Sequence, residues 1–126
     1  KFKNHKLSTY GNHSQNHYVM SSLRDEEQFD EVNAFDDLFS SLEISTSKVF
    51  SLPFGGNQDL NMCTISILKE LNYSSVLMSR GRLDQRCQSF YGFKAIDRLM
   101  PLDGVDKINL GLGYFLSFRK SSQLSN

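Results

Sequence analysis

The stretch from residue 48 to 79 constrains the fold more than any other part of the sequence. It opens with "KVFSL", a short run that favours a strand and must end at Pro53, because proline cannot continue a sheet ladder. Residues 55–57, "GGN", predict a turn, and residues 59–71 return to helical spacing. The run "SSVLMS" at 74–79 predicts a second strand. A strand, a helix and a second strand within about 30 residues have the size of a βαβ unit, whose two strands are parallel.

The clearest predicted helix covers residues 24–42. Its apolar side chains recur at spacings of three and four and share one face: Phe29, Val32, Phe35, Leu38, Phe39 and Leu42. The opposite face carries acidic side chains that we expect to be solvated: Asp30, Glu31, Asp36 and Asp37.

The remaining segments predict short strands joined by loops. Residues 80–94 are polar and irregular and predict a long loop, followed by a short strand at 95–101. Residues 114–120 alternate in character and predict a last strand with one buried face. The alternation of strands and helices favours an α/β fold with a mostly parallel sheet. In such folds, chemistry gathers at the carboxyl ends of the strands.

Composition narrows the classes of partner. The chain has 126 residues, which suggests one domain or part of one, and Lys+Arg and Asp+Glu both count 14. This balance gives no electrostatic reason to expect nucleic acid as a partner. No apolar run approaches the roughly 18 residues of a membrane span. Cys63 and Cys87 are too few for a disulfide framework, and we expect both to be reduced thiols.

Two histidines in "GNHSQNH", residues 11–17, form the strongest candidate for chemistry. His13 and His17 are four residues apart, a spacing that brings two rings onto one side of a helical turn, and neutral imidazole is a good zinc ligand. On their own, two such residues are more often exposed loop histidines. However, "GNHSQNH" follows a predicted short strand, "KLSTY", just as "LPFGG" follows "KVFS". Both motifs are therefore expected at the same edge of the sheet, where they form one site.

In this context the histidine motif resembles that of the polysaccharide deacetylase family (carbohydrate esterase family 4, the chitooligosaccharide deacetylase homology domain). His13, Ser14 and His17 match the family's His-[Ser/Thr]-x-x-His motif, with "GNH" leading into it and an acidic helix start after it. Pro53 and the two residues after it, "PFG", match a later motif of "PYG" form, although Ser51 stands where the family usually has arginine. The segment "ISILKELNYSSVL" is also similar to the helix and strand that follow. The resemblance covers roughly residues 5–80.

The resemblance implies a fold, a metal and an activity. Residues 1–120 would be a partial domain, the C-terminal part of a distorted (β/α) barrel that lacks its first strands, with 121–126 as a disordered tail. His13 and His17 would bind a divalent metal, usually zinc, and Ser14 would stabilise their loop by hydrogen bonding. The sugar-binding groove would include Pro53, Phe54 and Gly55. The implied activity is metal-dependent hydrolysis of acetyl groups from an amino sugar or polysaccharide, in the bacterial cell envelope or outside the cell, with a cytoplasmic location left open.

The catalytic residues themselves stay unassigned. The family takes its third metal ligand and its general base from aspartates upstream of the histidines, and none of the twelve residues before His13 is acidic. The family's general acid is a C-terminal histidine, whereas all three histidines here lie at or before position 17. Two alternatives therefore stand beside the deacetylase: an inactive relative that binds glycan or has a structural role, and an unrelated α/β domain with incidental histidines.

Several other residues are interpreted first as structural. His5 is expected to be exposed near the terminus. A solvated loop is the first interpretation of Arg80, Arg82 and Arg86, ahead of a glycan contact. Asp97 and Arg98 are expected to pair with neighbouring residues. Core packing or loop anchoring is expected of Tyr91 and Phe93, ahead of stacking on a sugar. The sequence assigns no oligomeric state.

Overall fold

The computed structural model describes residues 5–80 and 88–98, and it builds them into one sheet with two helices. The strands are β1 (Tyr10–Asn12), β2 (Thr46–Ser51), β3 (Ser75–Met78), β4 (Gln88–Phe90) and β5 (Phe93–Asp97). The helices are α1 (Asp25–Ser41) and α2 (Met62–Glu70), and Met20–Ser22 forms a 3-10 turn. The strand predicted at 114–120 and the tail predicted at 121–126 lie outside the described residues.

The sheet confirms the α/β prediction. Its strand order is β1-β2-β3-β5-β4, and each neighbouring pair is parallel except β4 with β5. Because β1, β2 and β3 are neighbours in chain order, right-handed crossovers place α1 and α2 on the same face of the sheet. The two helices do contact each other there. The described residues form a five-stranded, mostly parallel sheet.

The prediction of a loop over residues 80–94 is wrong for residues 88–94. Residues 88–98 contain β4 and β5, which form a hairpin joined by Tyr91 and Gly92. Both turn residues have positive φ, 51° and 70°, which matches the twist of a two-residue hairpin. Because tyrosine rarely adopts positive φ, Tyr91 does not indicate a turn in the sequence. As a result β5 begins at Phe93 instead of residue 95.

The core forms between the sheet and the two helices. Phe50, Val76 and Ala95 come from three neighbouring parallel strands and are almost fully buried. Val32 of α1 belongs to the same buried cluster. The cluster also contains Ile65, Ile67 and Leu68 of α2, together with Leu52, Met78 and Met20. Full burial of each such side chain stabilises the fold by roughly 1.5–3 kcal/mol.

The acidic face predicted on α1 is solvated only in part. Glu31 is buried, with 6% of its surface exposed, and Asp36 is half-buried. Asp36 accepts a hydrogen bond from the hydroxyl of Tyr73 at 2.8 Å and from the ammonium of Lys48 at 2.7 Å. Burial is the main cause that raises the pKa of Tyr73, so its phenol stays a neutral donor. Leu38 and Leu42, which were predicted on the apolar face of the helix, are exposed.

No helix in the described part of the chain is long and apolar enough to cross a membrane.

Candidate metal site at the carboxyl edge of the sheet

Four parallel strands end at one edge of the sheet, and the predicted site lies there. The loop after β1 carries His13 and His17, and the turn after β2 carries Pro53, Phe54 and Gly55. The two segments meet, because the histidines contact both the end of β2 and the ring of Phe54. The expected convergence of the two motifs is therefore present.

The ring of His13 is held in one orientation by the end of β2. Its Nδ1 lies 2.6 Å from the carbonyl oxygen of Ser51, and the side chain is half-buried. A carbonyl oxygen only accepts, so Nδ1 must carry the proton and donate it. In the neutral ring Nε2 then keeps its lone pair, which is the arrangement typical of a metal-binding histidine whose second nitrogen donates to a backbone carbonyl.

The ring of His17 lies between His13 and Phe54. Its centroid is 4.7 Å from that of His13, with the ring planes at 83°, and 4.9 Å from that of Phe54. Two imidazoles on one zinc, each with a Zn–N bond of roughly 2.0–2.1 Å, have centroids roughly 5 Å apart. The centroid distance of the pair is thus close to that of two imidazoles on a single ion, and His17 is exposed to solvent.

The loop from residue 12 to 17 is irregular instead of a helical turn. Ser14 and His17 both have φ of 59°, in the left-handed region. Asn12, which is buried, accepts the N–H of Ser14 on its side-chain oxygen at 2.8 Å. The hydroxyl of Ser14 in turn accepts the N–H of His17 at 3.0 Å, which is a hydrogen bond of the kind that the resemblance implied. The two rings therefore meet because side-chain oxygens of Asn12 and Ser14 hold the loop, and not because a helical turn aligns them.

Glu31 anchors the same loop from α1, a role that no pattern in the sequence indicates. Its carboxylate accepts the backbone N–H groups of Gln15 at 3.1 Å and Asn16 at 2.8 Å, and also the side-chain amide of Asn16. Glu31 is nearly fully buried. Two oxygens that accept three N–H groups leave the loop little freedom, so Glu31 fixes the segment between the two histidines.

Replacing Glu31 with glutamine is expected to loosen the histidine loop. The amide keeps one oxygen but turns the other acceptor into a donor that faces an N–H. We expect the free energy of unfolding to fall by about 1–3 kcal/mol, and zinc affinity to fall roughly 10–100-fold, as for other groups that orient metal ligands. Urea denaturation and calorimetry measure the two effects. Glu26→Gln, exposed in the first turn of α1, is the control and should change neither.

The turn after β2 is shaped by two buried residues and presents one exposed ring. Pro53 and Gly55 are buried, whereas 58% of Phe54 is exposed. The N–H of Ser79, just after β3, donates to the carbonyl of Gly55 at 2.9 Å. Of the three residues predicted to bind substrate, Phe54 is the one whose side chain is exposed beside His17. Pro53 and Gly55 are buried on either side of it in the chain.

A buried ion pair supports the other side of this turn. Arg80 donates from Nε and Nη2 to the two oxygens of Asp97, at 2.7 and 2.8 Å, and also donates to Asn57 at 3.2 Å. Only 8% of the Arg80 side chain and 2% of the Asp97 side chain are exposed. The solvated-loop interpretation of Arg80 is therefore wrong, and Arg82 and Arg86 lie outside the described residues.

The remaining candidates have structural surroundings. Tyr91 is exposed in the β4–β5 turn, at the edge of the sheet opposite the histidines, and Phe93 is buried in the core. Cys63 is a free thiol whose pKa burial raises to about 11, with a further contribution from a hydrogen bond to Asp25. A protonated thiol at neutral pH is neither a good nucleophile nor a good metal ligand.

His13 and His17 have no third candidate metal ligand beside them in the part of the chain that the structure describes. No group of three His, Cys, Asp or Glu side chains lies close enough to hold an ion within residues 5–80 and 88–98. No family model, curated protein or solved structure matches the chain. The functional assignment therefore depends on the geometry of the histidines and on the motifs around them.

Proposed function

We propose that this chain is part of a metal-dependent hydrolase that removes acetyl groups from an amino sugar or polysaccharide, in a domain of the distorted (β/α) barrel type. One observation supports this most. Nδ1 of His13 donates to the Ser51 carbonyl at 2.6 Å, so its Nε2 lone pair is kept for a ligand next to the ring of His17. A hydrogen bond from the second ring nitrogen to a backbone carbonyl is the contact that commonly orients metal-binding histidines.

In the proposed site His13 and His17 hold a divalent metal, zinc by the chemistry of two imidazoles. When bound, zinc lowers the pKa of a bound water toward roughly 7 and polarises an acyl oxygen. The part of this chain is to orient the ligands. The end of β2 fixes His13, and Glu31 and Ser14 fix the loop that carries His17.

The sugar is proposed to bind against the exposed ring of Phe54. This ring lies directly beside His17, at 4.9 Å between centroids, so a sugar stacked on it would place its N-acetyl group next to the histidines. Pro53 and Gly55 hold the backbone of that ring in place. The third ligand, the proton-accepting carboxylate and the acid for the leaving amine are proposed to come from outside the described residues.

A second candidate function is a glycan-binding domain without catalysis. The exposed Phe54 favours it, since an aromatic ring in solvent provides a stacking surface with or without a metal. Titration with N-acetylated chitooligosaccharide separates the two. Binding that is unchanged by a chelator and lost in Phe54→Ala supports glycan binding alone, whereas binding that needs zinc supports the metal site.

Isothermal titration of zinc into the 126-residue chain at neutral pH tests the metal pair. We expect one zinc per chain, and a loss of affinity of at least about 100-fold when His13 and His17 are both changed to alanine, more than the loss from an orienting group. His5→Ala is the matched control, because His5 is the remaining histidine and is exposed. Equal binding by the wild type and the double variant would contradict the proposal.

A further inference from the structure

Arg98 lies directly after β5 and reaches across the edge of the sheet to the end of β2. Its backbone N–H donates to the carbonyl of Met78 at 2.8 Å, which fixes its start beside β3. Its guanidinium then donates from Nη1 to the hydroxyl of Ser51 and from Nη2 to the carbonyl of Leu52 at 3.0 Å. One planar group thus holds the last residue of β2 and the residue after it, although β2 is not a neighbour of β5 in the sheet.

The residue that Arg98 holds is the one that orients His13. Ser51 accepts Arg98 on its hydroxyl and His13 on its carbonyl, the latter at 2.6 Å. A continuous set of hydrogen bonds therefore runs along the edge from β5 through β2 to the loop after β1. Any movement of the β2 end changes the position of the carbonyl that sets the His13 ring.

The setting of Arg98 is costly, which indicates that its position matters. Its Nε is buried and has no acceptor among the described residues. A buried donor without an acceptor loses its hydration without compensation, and such groups in folded proteins need an explanation. The fork geometry of arginine explains the choice, because lysine cannot hold two acceptors in one plane.

We propose that Arg98 is a positioning residue, which holds the end of β2 so that the Ser51 carbonyl fixes the tautomer and the direction of the His13 ring. The inference rests on the proposed metal function of His13. It assigns Arg98 no contact with metal or substrate.

The test reads the His13 tautomer by nitrogen-15 NMR in metal-free protein at about pH 8, well above the ordinary histidine pKa of roughly 6.5. The wild type is expected to show Nδ1–H at His13. In Arg98→Met the Nδ1–H population falls and zinc affinity falls roughly 10–100-fold, while Arg98→Lys keeps part of both. Lys94→Met, an exposed change within β5, is the control and should match the wild type.

Ser51→Ala tests whether Arg98 acts on His13 through Ser51. It removes the hydroxyl that Arg98 holds but keeps the carbonyl that His13 uses, so it should shift the tautomer in the same direction. The double variant should be no worse than Arg98→Met, because the bond that Ser51→Ala removes is one of the two that Arg98→Met already removes. Urea denaturation checks that each variant is folded, and Arg98→Lys with Ser51→Ala carries the test if Arg98→Met does not fold.

A tautomer and a zinc affinity that respond to Arg98→Met no more than to Lys94→Met would overturn the inference. Because the tautomer is read without metal, it tests Arg98 independently of zinc. A wild type that binds no zinc but shows the expected tautomer change contradicts the proposed function and leaves the positioning role supported.

Discussion

Asp97→Asn is expected to lower the free energy of unfolding by about 3–5 kcal/mol, the cost of breaking a buried ion pair from one side. The carboxylate of Asp97 receives two hydrogen bonds from Arg80, at 2.7 and 2.8 Å, and its side chain is 2% exposed. Asparagine has a similar shape but no charge, so the guanidinium of Arg80 stays buried without a counter-ion. Urea denaturation followed by circular dichroism measures the change.

The exposed pair of Arg24 and Glu27 provides the control for this prediction. Their side chains are 78% and 43% exposed, and their N–O distance is 2.9 Å. Glu27→Gln should therefore cost much less than Asp97→Asn, because exposed pairs contribute little to stability. If Asp97→Asn costs no more than Glu27→Gln, the Arg80–Asp97 pair does not stabilise the carboxyl edge of the sheet.

Gly55→Ala is expected to cost about 2–4 kcal/mol, from two separate causes. The residue has φ of 80°, a conformation that alanine adopts only with strain. A Cβ at this position would also lie 2.5 Å from the backbone nitrogen of Ser79, which cannot move without disturbing β3. The turn must shift, so we also expect Phe54 to leave the ring of His17.

Gly92→Ala separates the two causes. Gly92 has φ of 70°, and a new Cβ there would only make an ordinary van der Waals contact with the Lys69 ammonium, at 3.9 Å. It should therefore show the strain alone, about 1 kcal/mol. Thermal unfolding compares the variants, and nitrogen-15 chemical shifts of His17 report on the turn. Equal losses at the two glycines would mean that the contact with Ser79 is not tight.

The sequence predicted the elements whose pattern is local. The apolar spacing of α1 and the strand, turn and helix of residues 48–71 were recognisable because each repeats over consecutive residues. The β4–β5 hairpin was not, since its strands are three and five residues long. Its turn also places a tyrosine at positive φ, where glycine or asparagine is the usual signal.

At the candidate site, the sequence predicted that the two surface motifs would lie together, and it did not reveal the charged groups beneath them. His13, His17 and Phe54 were recognisable from short motifs and from the order of the strands. Glu31 and Arg80 were not, because nothing in their own neighbourhood distinguishes them from solvated charges. Their partners are 16 and 17 residues away along the chain, and only the packing of separate elements brings them together.

The most direct test of the proposed metal site is diffraction from zinc-soaked crystals at the zinc absorption edge. We expect one anomalous peak, roughly 2.0–2.1 Å from Nε2 of both His13 and His17, with Nδ1 of His13 still on the Ser51 carbonyl. The same map would identify any third ligand. Zinc bound at His5 or Cys63 instead, or bound through Nδ1 of His13, would contradict the assignment.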